Sequence, residues 1–350
     1  MSNDAGKLMM QEMREQPEWV ARALDSERQG ATALAEAIRE NDIRLIVIAA
    51  RGTSDNAAVY AKYLIEIVTG IPVSLAAPSV YTLYDANLHL ANTLVLGISQ
   101  SGQGTDVVQV LSTARSSGVL TACITNSAES PITQVSDHVL LCHAGKERSV
   151  AATKTYTTAL AVVALLVSIL SDRRDLLRAL DEIPSQILKT LEVDSLIETA
   201  VERYRYVDEC AVLARGVNQA TALEAALKMT ETSYLVAKSY SGADFLHGPI
   251  AMVERGFPCF LYAPHGRAYP SMLELALKIR ERHGEMVIIS PDEEILALAT
   301  VPLPIPVEID ELFSPLVYIV PGQLFAYHLA RTRGENPDAP RGLAKVTLTR

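Results

Sequence analysis

Short apolar runs alternate with helical patterns through the first half of the chain. The run from Leu45 to Ala49 ends at a turn of small and polar residues and precedes a helical stretch from Ala57 to Val68. Runs at 72–76, 93–98 and 120–125 repeat this order of a short β-rich run and a polar turn or helical pattern. The alternation predicts a parallel sheet covered by helices on both faces. Ligands usually bind such sheets at the carboxyl ends of the strands.

A helical block from Thr155 to about Arg203 separates this half from a second half with the same order of elements. There, a strand predicted from Cys210 to Leu213 leads into a helix predicted from Thr221 to about Ala237. Further strands are predicted at 258–263 and 286–290. The second half is therefore also predicted to have an α/β fold.

The two halves share a short sequence echo. Segment 48–52 and segment 212–216 both end in Ala-Arg-Gly before a predicted helix. Because the echo falls at the same structural point in both halves, it supports a duplicated α/β domain. The charged, alanine-rich segment before the first strand has its apolar residues at helical spacing, which predicts helices through about Asp42.

The charge of the chain restricts its partners. The formal net charge of −10 argues against nucleic acid and anionic membrane surfaces, because the chain has no cationic excess to displace their counterions. A small anionic ligand would need a local site of backbone N–H groups, hydroxyls or one well-placed lysine. We therefore predict no nucleic acid partner and no membrane partner.

The cysteines and the apolar stretches indicate the compartment. The four cysteines are widely spaced without a CxxC pair, which makes a disulfide framework or a zinc site improbable and fits a reducing compartment. The polar N-terminus lacks the apolar core of a secretion signal, and the apolar stretch Ala159 to Leu170 is too short to span a bilayer. These features predict a cytoplasmic protein without a metal, in which 159–170 is a buried helix.

Hydroxyl-bearing turns follow two of the predicted strands. The turn from Ser99 to Thr105 is rich in small residues and also carries Ser101, and a helix follows it. Small residues let the chain pass close to a ligand, and a helix start offers N–H groups and a partial positive charge. Thr53 and Ser54 form a second such turn, and two loops of this kind can converge on one phosphate. The alternative is an ordinary serine-glycine turn with a helix N-cap.

Three charged residues share one face of the second half's long predicted helix. Glu224, Lys228 and Glu231 are spaced i, i+4 and i+7. A solvated ladder of ion pairs is one interpretation of this spacing. The segment is, however, apolar around most of its circumference, which favours a partly buried carboxylate and ammonium, with the shifted pKa values that proton transfer requires.

A histidine and a lysine complete the candidate chemistry. His247 lies in a loop-like segment, 241–249, between turn-forming residues, and its pKa near neutrality suits acid/base work. It is equally consistent with a capping or core histidine. Lys345 lies among apolar residues in the tail, which favours a nucleophilic amine over the usual solvated charge.

In order and separation, these motifs resemble the sugar isomerase (SIS) domain family, and in particular the isomerase half of glucosamine-6-phosphate synthase. The motifs are Glu15-Gln16-Pro17, Arg51-Gly52-Thr53-Ser54, Ser99-Gln100-Ser101-Gly102, Val150-Ala151-Ala152-Thr153-Lys154, Ala222-Leu223-Glu224, His247-Gly248-Pro249 and Leu343-Ala344-Lys345. The resemblance implies two tandem SIS domains, each a mostly parallel five-stranded sheet flanked by helices in a flavodoxin-like three-layer α/β/α arrangement. We place these domains at 31–180 and 181–335, after a helical segment at 1–30 and before a tail at 336–350 that closes the active site.

The resemblance also implies roles for individual residues. The candidates for binding a sugar phosphate are Thr53, Ser54, Ser99, Gln100, Ser101, Thr105, Val150, Ala151 and Glu224. Glu231 would move a proton between C1 and C2 with support from Lys228, and His247 would open the sugar ring. Lys345 corresponds to the tail lysine that forms a Schiff base in the synthase. No cofactor is implied, and family members are dimers whose histidine loop can reach the neighbouring subunit's site.

Two positions depart from the synthase pattern. Gly104 stands where the synthase has threonine, with Thr105 one residue later, so the phosphate contacts are expected to differ. Ala152 stands where the synthase typically has serine, which removes one hydroxyl.

The direction of the reaction follows from a third departure. Met1-Ser2 offers no N-terminal nucleophilic cysteine, and no glutaminase domain precedes the sugar domains, so we expect the catabolic reaction of the SIS-type glucosamine-6-phosphate deaminases. The expected products from glucosamine 6-phosphate are fructose 6-phosphate and ammonia. The alternatives are another phosphosugar aldose-ketose isomerase, a fructosamine-6-phosphate deglycase, or a non-catalytic phosphosugar sensor.

Overall fold

Three helices precede the first strand, as the sequence predicts. The computed structural model describes residues 5–345, and the predictions at 1–4 and 346–350 lie outside the described residues. The helices are α1 (Lys7–Arg14), α2 (Gln16–Ser26) and α3 (Arg28–Glu40). The chain folds into two compact units, one of residues 18–147, 154–182 and 344–345, and the other of residues 5–17, 148–153 and 183–343.

The first unit, here the β1–β5 unit, is built on one parallel sheet. Its strands are β1 (Leu45–Ala49), β2 (Val73–Leu75), β3 (Thr93–Ile98), β4 (Leu120–Thr125) and β5 (His138–Leu141). Its helices after α3 are α4 (Thr53–Thr69), α5 (Ser79–Thr82), α6 (Thr105–Ser116), α7 (Pro131–Gln134), α8 (Lys154–Leu170) and α9 (Arg174–Asp181). The strand order is β2-β1-β3-β4-β5, all parallel. Strand β3 is buried at every position, because helices cover a parallel sheet on both faces.

The second unit, here the β6–β10 unit, repeats this topology. Its strands are β6 (Glu209–Ala214), β7 (Val236–Ser241), β8 (Pro258–Tyr262), β9 (Glu285–Ser290) and β10 (Val301–Pro304). Its helices after α9 are α10 (Ile183–Thr190), α11 (Asp194–Ala200), α12 (Gln219–Ser233), α13 (Gly242–Leu246), α14 (Tyr269–Glu281), α15 (Glu293–Leu296) and α16 (Ser314–Thr332). Counted from each unit's first strand, the parallel order β10-β9-β8-β6-β7 is the same 2-1-3-4-5 arrangement. The duplicated α/β fold predicted from the sequence is confirmed.

The structure corrects the sequence prediction in the second half. The helix predicted to reach Ala237 ends at Ser233, because Tyr234 adopts a left-handed φ of 55° that closes the helix. Ala237 therefore lies in β7, a strand that the sequence analysis missed along with β5 and β10. Segment 241–249 is not a loop, since Ser241 ends β7 and its hydroxyl accepts the N–H of Asp244 to cap α13.

Two long apolar helices lie in the interiors of the units. Helix α8 is buried over nearly all its length, as predicted for 159–170. By length and composition the stretch Glu311–Thr332 could cross a membrane, but 94% of its apolar window is buried inside the protein. This is the burial of a core helix.

Helix α12 is pressed against α16 at a glycine. A Cβ added at Gly322 would lie 2.9 Å from the Cβ of Ala225 and 2.5 Å from the hydroxyl oxygen of Tyr262. Farther along, the hydroxyl of Ser233 donates to the carbonyl oxygen of Ala326 at 3.1 Å. The backbone of α16 therefore sets the position of α12.

We expect Gly322→Val to lower the free energy of unfolding by about 1–3 kcal/mol, because overpacking of a tight core contact costs this much. Chemical denaturation measures the change. Ala33→Val, at an exposed position of α3, is the control for the cost of a β-branched residue in a helix. Equal effects at the two positions would contradict the close contact.

Candidate functional site

The two hydroxyl turns lie at the same edge of one sheet. Strands β1 and β3 are parallel neighbours, with Ala49 opposite Gly97. The turn with Thr53 and Ser54 follows β1, and the turn from Ser99 follows β3. This is the point where the strand order reverses, the usual ligand crevice of such sheets. The structure thus brings the predicted phosphate turns to adjacent positions.

The end of β4 holds the Ser99 turn in place. The N–H of Ser99 donates to the carbonyl of Ile124 at 3.0 Å, and the carbonyl of Gln100 accepts the N–H of Asn126 at 3.1 Å. Gly102 has a φ of +64°, and an added Cβ would lie 2.1 Å from the hydroxyl oxygen of Ser130, so only glycine fits there. These contacts hold the turn at the sheet edge, with its serines half-buried and Thr105 exposed at the start of α6.

An ion pair that the sequence analysis did not anticipate lies beside these turns. Arg51 follows β1, and its Nε donates to Oδ2 of Asp106 in the first turn of α6 at 2.7 Å. Asp106 is buried, whereas Arg51 is half exposed. Arg51 belongs to a sequence motif singled out for its hydroxyls, and no local pattern links it to a residue 55 positions away.

Glu224, Lys228 and Glu231 form the predicted charged cluster on α12. Lys228 Nζ lies 3.3 Å from Oε1 of Glu224 and 2.5 Å from Oε2 of Glu231. The Lys228 and Glu224 side chains are buried, but 25% of the Glu231 side chain is exposed. Burial alone would lower the pKa of Lys228, yet the two carboxylates outweigh it and raise that pKa. The lysine therefore stays an ammonium and leaves Glu231 as the accessible carboxylate.

His247 follows directly on α13. Its backbone N–H donates to the carbonyl of Asp244 at 3.1 Å, and Phe245 anchors the helix in the core. Gly248, with a φ of 144°, turns the chain away after it. His247 is exposed at the surface, which does not support the alternative of a core histidine.

Segment 148–153, which contains Val150 and Ala151, is held by backbone hydrogen bonds. The carboxylate of Glu12 on α1, itself buried, accepts the N–H groups of Arg148 and Ser149, the latter at 3.2 Å. The N–H of Val150 donates to the carbonyl of Asp338 at 3.0 Å. Glu12 is a second residue that the sequence analysis missed.

Lys345 has an anionic partner that its apolar sequence neighbours do not suggest. Its Nζ lies 2.7 Å from Oε2 of Glu147, a fully buried carboxylate. Glu147 also accepts the N–H of Thr155 at 3.1 Å and its hydroxyl at 2.7 Å, at the start of α8. A buried carboxylate is stabilised there by the helix dipole and in turn fixes the lysine. Glu147 was also missed, because 198 residues separate it from Lys345.

The remaining reactive groups offer no metal or thiolate chemistry in the part of the chain that the structure describes. Within residues 5–345, no group of three His, Cys, Asp or Glu side chains could hold a metal ion. The four cysteines are free and buried. Burial raises the pKa of Cys123 to about 11 and that of Cys142 to about 12, so these side chains stay thiols.

The predicted site residues divide between the two units. The β1–β5 unit holds Thr53, Ser54, Ser99, Gln100, Ser101, Thr105 and Lys345, and the β6–β10 unit holds Val150, Ala151, Glu224, Lys228, Glu231 and His247. The first unit presents hydroxyls and N–H groups, which are donors for an anion, together with the amine of Lys345. The second unit presents a carboxylate and an imidazole, which are groups that can transfer protons.

Comparisons with known proteins agree with this fold. A family model described as the SIS domain matches residues 41–169 and 207–333. A glutamine–fructose-6-phosphate aminotransferase (isomerizing) of Pyrococcus horikoshii is 34% identical over 96% of this chain, but this chain spans only 57% of that protein's length. The C-terminal domain of the glucosamine-fructose-6-phosphate aminotransferase of Francisella tularensis is 28% identical with a TM-score of 0.85, covering 95% of this chain and 98% of that one. A glucosamine-6-phosphate deaminase of Thermotoga maritima, 20% identical with a TM-score of 0.79, covers 98% of this chain and 100% of its own and shares the fold.

Proposed function

This chain belongs to the SIS domain family, and from that premise we propose that it converts glucosamine 6-phosphate and water to fructose 6-phosphate and ammonia. The observation that carries the proposal is the pairing of Glu231 with Lys228 at 2.5 Å. A buried ammonium holds a partly exposed carboxylate in one position. A fixed carboxylate that a ligand can reach is what abstraction of a proton next to a carbonyl requires.

The proposed reaction begins with binding and ring opening. The hydroxyls and N–H groups of the Thr53–Ser54 and Ser99–Thr105 turns bind the phosphate, as the N-termini of α4 and α6 favour an anion there. His247 moves the proton that opens the sugar ring and frees the C1 aldehyde. The segment with Val150 and Ala151 lines the sugar.

Glu231 then carries the isomerisation. It takes the proton from C2, which gives an enolamine, and returns it to C1, which leaves a C1 alcohol and a C2 imine. Water adds to C2 and ammonia departs, giving the ketone of fructose 6-phosphate. Lys228 keeps Glu231 in place and Glu224 keeps Lys228 charged, so the two act as positioning residues.

The tail lysine has a separate proposed role. The resemblance to the synthase gives Lys345 the amine that forms a Schiff base with a keto sugar. An amine must lose its proton before it attacks a keto group, and Glu147, 2.7 Å from Nζ of Lys345, is in contact to accept that proton.

The test is incubation of the protein with glucosamine 6-phosphate while ammonia and fructose 6-phosphate are both measured. We expect the two products to appear in equal amounts, and the reverse reaction to consume both. Isomerisation of a panel of phosphosugars without ammonia would favour a plain aldose-ketose isomerase. Amine release from a fructosamine 6-phosphate alone would favour a deglycase, and tight binding without turnover of any of them would favour a sensor.

The predicted homodimer and the predicted cytoplasmic location remain predictions. The four buried, free cysteines are compatible with a reducing compartment.

A further inference from the structure

We propose that Arg51 is a phosphate-binding residue, whose guanidinium reaches the anion held by the Ser99–Thr105 turn. The inference deepens the proposed function and rests on its phosphate site. It supplies what the sequence left open, which is a cation for an anionic ligand on a chain of net charge −10.

The position of Arg51 in the sheet places it at the turns. Arg51 comes two residues after Ala49, the end of β1, and β1 pairs with β3, whose own end leads into the Ser99 turn. The carbonyl of Arg51 accepts the N–H of Ser54 at 3.2 Å. The arginine is therefore part of the first hydroxyl turn.

The side chain of Arg51 is directed toward the second hydroxyl turn. Its Nε lies 2.7 Å from Oδ2 of Asp106, the residue after Thr105. A Cβ added at Gly104 would lie 3.6 Å from Oδ1 of Asp106 and 4.0 Å from the hydroxyl oxygen of Ser99. The carboxylate that holds the guanidinium and the Ser99 hydroxyl thus lie beside the same glycine.

The contact that holds Arg51 leaves its two Nη groups available to bind a phosphate. A guanidinium has five N–H donors, and a single contact through Nε leaves the two Nη groups as a planar fork of the kind that recognises phosphate. About half of the Arg51 side chain (54%) is exposed, whereas Asp106 is 2% exposed. A buried carboxylate therefore orients an accessible cation.

Charge balance at the sheet edge supports the same role. Burial raises the pKa of Asp55 in the first turn of α4, and the charge of Arg51 opposes that rise, so the arginine acts on two carboxylates. Arg51 therefore supplies a positive charge beside Asp55 and Asp106 at this edge of the sheet. The alternative is that the Arg51–Asp106 pair only braces the two turns.

Calorimetric titration with inorganic phosphate tests the inference without any turnover. We expect the wild type to bind and Arg51→Gln to bind about 10- to 100-fold more weakly, the loss typical of one hydrogen bond to a charged group. Arg51→Lys, which keeps the charge but not the fork, should lie between them. Arg115→Gln is the matched control, because it removes a guanidinium of similar exposure from the last turn of the same helix as Asp106, where Arg115 pairs with Asp137.

Asp106→Asn separates binding from bracing. Asparagine keeps an oxygen for the N–H of Val107, which Asp106 Oδ1 accepts at 2.9 Å, while the negative charge is removed. If Arg51 binds phosphate, this variant loses less affinity than Arg51→Gln, because it gives up the orienting carboxylate but keeps the guanidinium and removes a negative charge. If the pair only braces the turns, Asp106→Asn and Arg51→Gln lose affinity equally, and the inference is wrong. Thermal unfolding of each variant confirms that the fold is kept.

The outcomes also separate this inference from the proposed reaction. If Arg51→Gln loses phosphate binding but the wild type does not turn over glucosamine 6-phosphate, the phosphate-binding role of Arg51 is supported and the proposed reaction is rejected. A second result is that the wild type binds phosphate with an affinity that Ser101→Ala weakens and that Arg51→Gln changes less than twofold. That result would reject the role of Arg51 and keep the phosphate site. A wild type that binds no phosphate would reject the phosphate site and the inference with it.

Discussion

Glu231→Gln is expected to lower kcat for glucosamine 6-phosphate by about 10²–10⁴-fold, the contribution typical of a general base. The amide keeps the size of the side chain but cannot take the proton from C2. Lys228 keeps Glu224 at 3.3 Å, so the fold should survive. Steady-state assays of ammonia release measure the loss.

The affinity for phosphate should not change in this variant, because the proposed phosphate residues are other side chains. Titration with inorganic phosphate checks this point. Glu198→Gln, an exposed carboxylate on α11, is the matched control and should keep wild-type turnover. Turnover of Glu231→Gln within threefold of the wild type would remove Glu231 from the mechanism.

Lys228→Met is expected to lower the free energy of unfolding by about 3–5 kcal/mol, the cost of breaking a buried ion pair by removal of one partner. The methionine fills much of the volume, but Glu224 is left as a buried carboxylate without its ammonium. Urea denaturation measures the change. Lys278→Met, which removes the exposed partner of Glu274 on α14, should cost less than about 1 kcal/mol.

A double variant and the pH dependence test the cause of this loss. Lys228→Met with Glu224→Gln should recover a large part of the stability, because the uncompensated charge is gone.

The pH dependence is a second test. The pKa of Lys228 is raised in the folded protein. The stabilisation by its charge is therefore fully present below the pKa of the unfolded state and is lost as the pH rises through the pKa of the folded state. The gap in unfolding free energy between the wild type and Lys228→Met should therefore be constant near neutral pH and shrink above about pH 10.5, the ordinary pKa of lysine. A gap that widens there would contradict the ion pair as its cause.

Local patterns predicted most of the first half. Strands β1, β3 and β4 have the predicted bounds, since each is a continuous apolar run between turn residues. Strand β7 was not predicted because it is half-exposed and its first residues extend the hydrophobic pattern of α12. The helix ends before β7 because Tyr234 adopts a left-handed conformation, which is not expected for a tyrosine.

The candidate site was predictable to the extent that its residues are close in sequence. Glu224, Lys228 and Glu231 meet because residues three and four apart on a helix are neighbours, whatever the rest of the chain does. The two hydroxyl turns were predictable because each directly follows a strand. The sequence could not predict that Glu231 is exposed beside a buried Lys228, because burial depends on the elements packed around α12.

The sequence by itself determined a duplicated parallel α/β fold, its hydroxyl turns and a helix with a charged face, because period, turn chemistry and motif order are local properties. Only the tertiary structure decided the partners of Arg51, Val150 and Lys345, namely Asp106, Asp338 and Glu147. The physical reason is that each partner is brought into contact by strand order and burial across 55 to 198 residues of chain. At such separations one sequence contains no periodicity that pairs a carboxylate with its cation.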